Sequence, residues 1–280
     1  MTVPTRRYVE HLMGMPISLA LRGRHADDVT GAAAWAAALA TLRAADRVFS
    51  THRVDSVIAR LGRGEIEPAD CPPELAEVLA LGERARRDSG GAFAVYRGGV
   101  LDPTGVVKGW AAERAAAHLR ALPDTDFCLS AGGDITCRTL DPAGPPWRIG
   151  IEAPHDTSRL VAIVPVRTGA VATSGATHRG AHIVDARTGR ASAGIASVTV
   201  VGTSLTAVDI DATAACALGR EAVRWLRTRG HRSALVVHDD GTTTVIAAPP
   251  RVHGRRTTDP HGPIPRVAAA GGRQLPAAGS

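Results

Sequence analysis

A chain of 280 residues whose aromatic side chains are three Phe, two Tyr and four Trp has to build its core from aliphatic ones. With 44% hydrophobic residues it has enough Val, Leu, Ile and Ala for one large domain or two small lobes. Such a composition suits a packed α/β or α+β domain.

Punctuation along the chain sets the elements. Met15–Leu21 is a short apolar run with the length of a strand, and the Ala-rich stretch from Thr30 to Ser50 has helix-forming composition, with Asp28 or Thr30 as its cap. Pro72 and Pro73, followed by Glu74 and Glu77, mark a second helix start, and Gly90–Gly91 marks its end. Ala92–Tyr96 reads as a strand turned back at Gly98–Gly99. From Lys108 to Leu122, Ala111, Ala115, Leu119 and Leu122 recur at helical spacing. Strand-like runs follow at Phe127–Leu129, Ile135–Arg138, Trp147–Ile151, Leu160–Val166, Ala170–Thr173 and Ser197–Val201. Leu205–Leu226 is helical with a break near Gly219, and Ala234–Val237 and Thr243–Ala247 form a hairpin through Asp239-Asp240-Gly241. Residues 1–248 thus read as one folded domain. Residues 249–280, rich in Pro, Gly and Arg, read as a disordered tail that cannot bury enough apolar surface to fold.

The net charge of +6 invites a nucleic-acid reading, but the arginines are spread along the whole chain, so no binding face is indicated. Among 33 basic residues Lys108 is the one lysine, which marks a position where a guanidinium will not serve. Cys71, Cys128, Cys137 and Cys216 have no zinc-site spacing and read as reduced thiols. No cleavable leader or membrane span is evident, and the expected location is the cytoplasm.

Four clusters join a glycine-bearing turn to a charged or hydroxyl side chain. In Leu101–Ala111 the turn Asp102-Pro103-Thr104-Gly105 leads into Lys108-Gly109, read as the opening of a helix. A cation there opposes the helix dipole unless lysine and helix start both face a phosphate; a solvated surface lysine is the alternative. Ser130-Ala131-Gly132-Gly133-Asp134 lies between two strands, where paired glycines admit an anion or a planar ring, or simply make a turn. The third cluster is Thr173-Ser174-Gly175, followed by His182 and Asp185. At that spacing in a strand the last two lie on opposite faces, and His182 alone reads equally as a structural histidine. In Val208–Ala214, Asp209 and Thr213 share a helix face and offer a carboxylate and a hydroxyl to a hard cation. Thr206-Ala207-Val208-Asp209 also fits a capping box, so two readings of Asp209 stand.

Taken in order, Asp102–Ala111, Ser130–Ile135, Thr173–Gly175, His182–Gly189 and Val208–Ala214 resemble the signature of the FAD:protein FMN transferases, the ApbE family. Fainter echoes lie at Met13-Gly14, at Asp46 with Phe49-Ser50, and at Ser89–Phe93, so the resemblance runs over about residues 12–248. It implies a two-lobed α+β domain that moves the FMN part of FAD to a Thr or Ser hydroxyl of an acceptor protein, with Mg²⁺ bound and AMP released. It also implies FAD contacts from Met13, Gly14, Asp102, Lys108, Ala131, Gly132, Gly133, Asp134, Thr173, Ser174, Gly175 and His182. Metal ligation falls to Asp209, Thr213 and the Gly105 carbonyl, with His182 deprotonating or orienting the acceptor hydroxyl and Lys108 neutralising phosphate. Ser130, Ala186, Val208 and Ala94 depart from the family pattern, on the flavin and turn side rather than the metal side. FAD hydrolysis to FMN and AMP, or FAD binding without chemistry, are the alternatives.

Overall fold

The computed structural model describes residues 4–175, 183–230 and 232–248. The chain opens with a hairpin of β1 (Arg6–Leu12) and β2 (Met15–Gly23), then runs through α1 (Val29–Phe49), α2 (Val57–Gly62) and α3 (Pro73–Asp88). A small hairpin, β3 (Tyr96–Arg97) and β4 (Val100–Leu101), leads into α4 (Thr104–Arg120), β5 (Thr125–Ala131) and β6 (Asp134–Arg138). After β7 (Trp147–Ala153), β8 (Asp156–Val166) and β9 (Gly169–Gly175) come the two-residue strands β10 (Val184–Asp185) and β11 (Arg190–Ala191). The remainder is β12 (Ile195–Gly202), α5 (Leu205–Leu218), α6 (Ala222–Thr228), β13 (Ser233–His238) and β14 (Thr243–Ile246).

Eight strands form one antiparallel sheet in the order β1-β2-β5-β6-β9-β12-β13-β14. Period-two alternation divides its side chains between two cores. Ala170, Ala172, Val198, Val200, Ala234 and Val236 face the helices, while Val171, Val201 and Leu235 face Ile149, Ile151, Val164 and Val166 of the β7–β8 hairpin. The architecture is therefore α+β in three layers, with helices on one face and a hairpin on the other. The scarcity of aromatics shows in the helical layer: α4 buries Ala111, Ala112, Ala115 and Ala116, and such short side chains let it pack closely against both α1 and α5.

Most expected elements are present; besides α2, β10 and β11, which the sequence did not announce, four differences bear on the fold. Strand β1 was not read from the sequence because RRYVEHL is an edge strand, mostly exposed, with charges in place of an apolar alternation. Of Ala92–Tyr96 only Tyr96 is paired, with Leu101, while Ala92, Phe93 and Val95 are buried outside any ladder. Helix α4 begins at Thr104 rather than Lys108, because the Asp102 carboxylate accepts from the Thr104 N–H at 3.2 Å and starts the turn there. Helix α5 is capped by Ser204, which accepts from the Ala207 N–H at 3.2 Å, so the capping-box reading of Thr206 and Asp209 falls. For α1 the cap is Asp28. Residues 249–280, read as a tail, lie outside the described residues, and no described helix is long and apolar enough to cross a membrane.

Candidate functional site

A cavity of about 940 Å³ opens where α4 and α5 meet the sheet, a size suited to a cofactor. Most of the sequence-derived residues reach its wall. Met13 and Gly14 come from the β1–β2 turn, and Asp102, Gly105 and Lys108 from the start of α4. Gly132 and Gly133 form the β5–β6 turn at φ +57° and +93°, backbone that glycine adopts without strain. Thr173, Ser174 and Gly175 end β9, and Asp209 and Thr213 lie one turn apart on α5. Ala131 is fully buried in the core behind this wall, and Asp134 is buried with its side chain directed at Lys108. His182 lies outside the described residues.

The polar end of the cavity is a lysine between two carboxylates. Lys108 Nζ lies 2.5 Å from Asp134 Oδ2 and 3.6 Å from Asp209 Oδ1, and both carboxylates are about 2% exposed or less. Asp134 Oδ1 accepts from the Thr173 N–H at 3.1 Å, tying the β5–β6 turn to β9, and Asp209 Oδ2 accepts from the Gly109 N–H at 2.8 Å. Gly109 is required by that approach: a Cβ there would stand 2.7 Å from Asp209 Cβ and 2.9 Å from the Leu205 carbonyl oxygen. Because α4 starts four residues before Lys108, the lysine belongs to the second turn and the dipole conflict expected at the helix start is relieved.

One cation against two buried carboxylates leaves a negative charge uncompensated. Burial pushes the Asp209 carboxyl up to about 7, with Lys108 lowering it and the Asp134 charge raising it. Such a group takes up either a proton or a further cation. The donors nearby are hard oxygens: the Thr213 hydroxyl, 3.0 Å from Ser174 Oγ, and Gly105, placed so that a Cβ on it would stand 3.4 Å from the Thr213 methyl. Asp209, Thr213 and Gly105 all line this end of the cavity. Among the described residues no group of three His, Cys, Asp or Glu could hold a metal, so an ion here would keep waters and take ligand oxygens.

The rim is held by Asp102. Burial acts to raise its carboxyl, but hydrogen bonds from the Thr104 hydroxyl and backbone, and from Arg97, outweigh it and hold it below the usual range. Sequence reading missed one support of the site, outside its wall, and one stretch of the wall. Glu113 of α4 accepts from Ser204 Oγ at 2.8 Å and from the Thr206 N–H at 2.9 Å, fixing the start of α5; a glutamate on an otherwise Ala-rich helix was the available signal. The wall from Ile149 to Glu152 on β7 had no signal, because which layer that strand joins depends on tertiary packing.

Fold and cleft together define a class, an α+β protein with a cofactor-sized cavity whose polar end is a lysine held between two buried carboxylates. A family model described as the ApbE family matches residues 13–102 and 95–236, and the chain belongs to the ApbE family. A Rhodobacter capsulatus protein named FAD:protein FMN transferase is 32% identical over 215 residues, covering 72% of this chain and 37% of that protein. A Vibrio cholerae protein of the same name is 33% identical over 131 residues, 43% of this chain and 39% of that one. The chain therefore spans well under half the length of these curated relatives. Among solved structures, the apo flavinyl transferase ApbE of Pseudomonas stutzeri superposes with a TM-score of 0.73 at 21% identity, covering 88% of this chain and 96% of that one. The flavin transferase ApbE of Vibrio cholerae gives 0.74 at 20% identity, covering 88% and 98%. These two likenesses establish the shared fold.

Proposed function

We propose that this chain is an FAD:protein FMN transferase, moving the FMN part of FAD to a Thr or Ser hydroxyl of an acceptor protein in the cytoplasm and releasing AMP. The observation that carries this reading is the Lys108–Asp134–Asp209 cluster at the end of a cofactor-sized cavity, in a chain of the ApbE family. The acceptor oxygen attacks the flavin-side phosphorus, a P–O bond to it forms, and the bond to the bridging oxygen breaks with AMP as the leaving group. Charge develops on the phosphate oxygens, so positioning and neutralisation supply most of the catalysis. Lys108, which lines the cavity, would neutralise phosphate, and the Gly132-Gly133 turn would let the ligand approach the backbone closely. Asp209, Thr213 and the Gly105 carbonyl would hold Mg²⁺, which when bound neutralises pyrophosphate charge. The hydroxyl proton is assigned to His182, whose near-neutral intrinsic pKa suits that task.

The deciding experiment incubates the protein with FAD, Mg²⁺ and a panel of flavin-acceptor proteins, then measures intact mass and released nucleotide. An acceptor that gains one FMN while AMP appears is the expected result. Free FMN and AMP formed at the same rate with and without every acceptor would replace transfer by hydrolysis, and FAD retained unchanged would leave a binding protein.

A further inference from the structure

The cavity is not confined to the helical face of the sheet. Strand β6 pairs with β9 only from Ile135 to Cys137 against Gly169 to Val171, and beyond that ladder the end of β9 borders the cavity. On the hairpin side the wall is largely apolar, made by Ile135, Ile149, Ile151 and Val171, with Glu152 beside them. Two hydroxyls interrupt it. Thr173 Oγ1 is paired with Thr199 Oγ1 at 2.9 Å, whereas Ser197 Oγ is buried with no hydrogen-bond partner among the described residues.

Ser197 sits on β12, a strand buried along its whole length, just past an irregularity in the pairing with β13. With Thr199 and Val201 it faces the hairpin layer, since alternate residues share a face. Its partner on β9 is Gly175, where an added Cβ would stand 3.0 Å from Ser197 Cβ. The glycine therefore lets β9 approach the serine closely without a side chain between them, and the serine, 3% exposed with its hydroxyl buried, is among the residues lining the cavity. A buried hydroxyl without a partner is unfavourable compared with the aliphatic residues that fill most of the strand or with Thr199, whose hydroxyl is paired. Its presence is accounted for when a ligand supplies the partner.

We propose that Ser197 is a ring-recognition residue: its hydroxyl hydrogen-bonds a carbonyl or nitrogen on the edge of a planar heteroaromatic ring, whose face lies on the Ile135, Ile149, Ile151 and Val171 wall. The proposal rests on the FAD reading above, and FAD carries two such rings. A hydrophobic slot with one directed hydroxyl discriminates by that hydrogen bond, because the wall alone accepts any flat apolar group.

The test titrates FAD, FMN, AMP and magnesium pyrophosphate against the full chain and its Ser197→Ala and Ser197→Thr variants, with the melting temperature of each ligand-free protein. Ser197→Ala is expected to weaken FAD about fivefold, the effect of one neutral hydrogen bond. The same loss should appear with either FMN or AMP, according to which ring occupies the slot, and not with pyrophosphate. Ser197→Thr, which keeps the hydroxyl, should restore binding, and the ligand-free melting temperature of the Ala variant should stay level or rise. Unchanged FAD affinity in Ser197→Ala, an equal loss across all four ligands, or a lower ligand-free melting temperature would each overturn the assignment. Wild-type protein that binds none of FAD, FMN and AMP would instead remove the FAD reading, and this assignment with it.

Discussion

Replacing Gly109 by alanine sets two effects of opposite sign against each other. Gly109 lies inside α4, where alanine is the better helix former by about 1 kcal/mol, so propensity alone predicts a more stable protein. The new methyl, however, would stand 2.7 Å from Asp209 Cβ and 2.9 Å from both Asp209 Oδ2 and the Leu205 carbonyl oxygen. Those are contacts with a helix backbone and with a short side chain already fixed by its bond from the Gly109 N–H, so no flexible end can yield. Overpacking of this kind costs roughly 1–3 kcal/mol. Loss of a charge-assisted hydrogen bond adds about 1.5–3 kcal/mol where the helices separate to relieve the clash. Packing wins, and the expected net destabilisation is on the order of 2 kcal/mol, or about 4–8 °C in melting temperature for a domain of this size. The assay is thermal unfolding of the ligand-free protein followed by FAD turnover, which should fall because Asp209 is displaced. A melting temperature that rises would show that α4 and α5 do not approach as described and would refute the reasoning.

Other expectations follow from the same geometry. Lys108→Arg keeps the charge but brings a planar fork to a point where the Nζ reaches two carboxylates, so FAD turnover should fall at least tenfold with the fold intact; unchanged turnover would make the lysine incidental. Asp209→Asn should abolish the Mg²⁺-dependent rise in melting temperature while leaving the ligand-free protein as stable as before, read by thermal shift with and without Mg²⁺. The Asp209 carboxyl is raised from 3.8 to about 7, so its effect favours the ligand-free fold below pH 3.8 and is lost as pH climbs through 7. Added Mg²⁺ should therefore stabilise more at pH 8 than at pH 5, and an equal shift at both would contradict it. Glu113→Ala removes the acceptor for Ser204 and Thr206 and should lower the melting temperature by the equivalent of about 1–3 kcal/mol, the loss of hydrogen bonds from partly buried donors to a charged acceptor.

What the sequence disclosed was local chemistry, and what it withheld was pairing. Asp102, Lys108, Gly132, Thr173 and Asp209 were each legible because a glycine turn or a helical spacing sat beside a reactive side chain. That Lys108 would reach Asp134 as well as Asp209 was not legible, since 26 and 101 residues of chain separate it from them and only the antiparallel order of β5, β6 and β9 closes the gap. The ambiguity over Asp209 had a similar origin. Both readings were locally consistent; the capping one was excluded by Ser204 taking the cap, while the Asp209 carboxylate accepts from Gly109 of another helix. Strand β1 and the β7 wall escaped for a different reason: one is an exposed edge, and the other acquires its role only by folding over the far face of the sheet.

The lone lysine connects composition to site. Among Lys and Arg positions arginine serves at every other one, including the buried Arg22, which lies over the Trp147 ring and bonds Asp126 at 3.0 Å, and the partly buried Arg232, which pairs with the buried Asp211. Burial beside a carboxylate is therefore not what excludes arginine from position 108. The two pairs differ in what else must happen there. Asp211 is engaged by Arg229 and Arg232 together, two guanidinium groups, each about a quarter exposed, on one carboxylate. Asp134 and Asp209 share one compact ammonium, and Lys108 remains a quarter exposed on the cavity side. An ammonium has three donors on a point charge and can turn between carboxylate and phosphate without moving a plane of five donors. In the proposed reaction, position 108 would thus keep a cation that neutralises a buried carboxylate and is still available to a ligand.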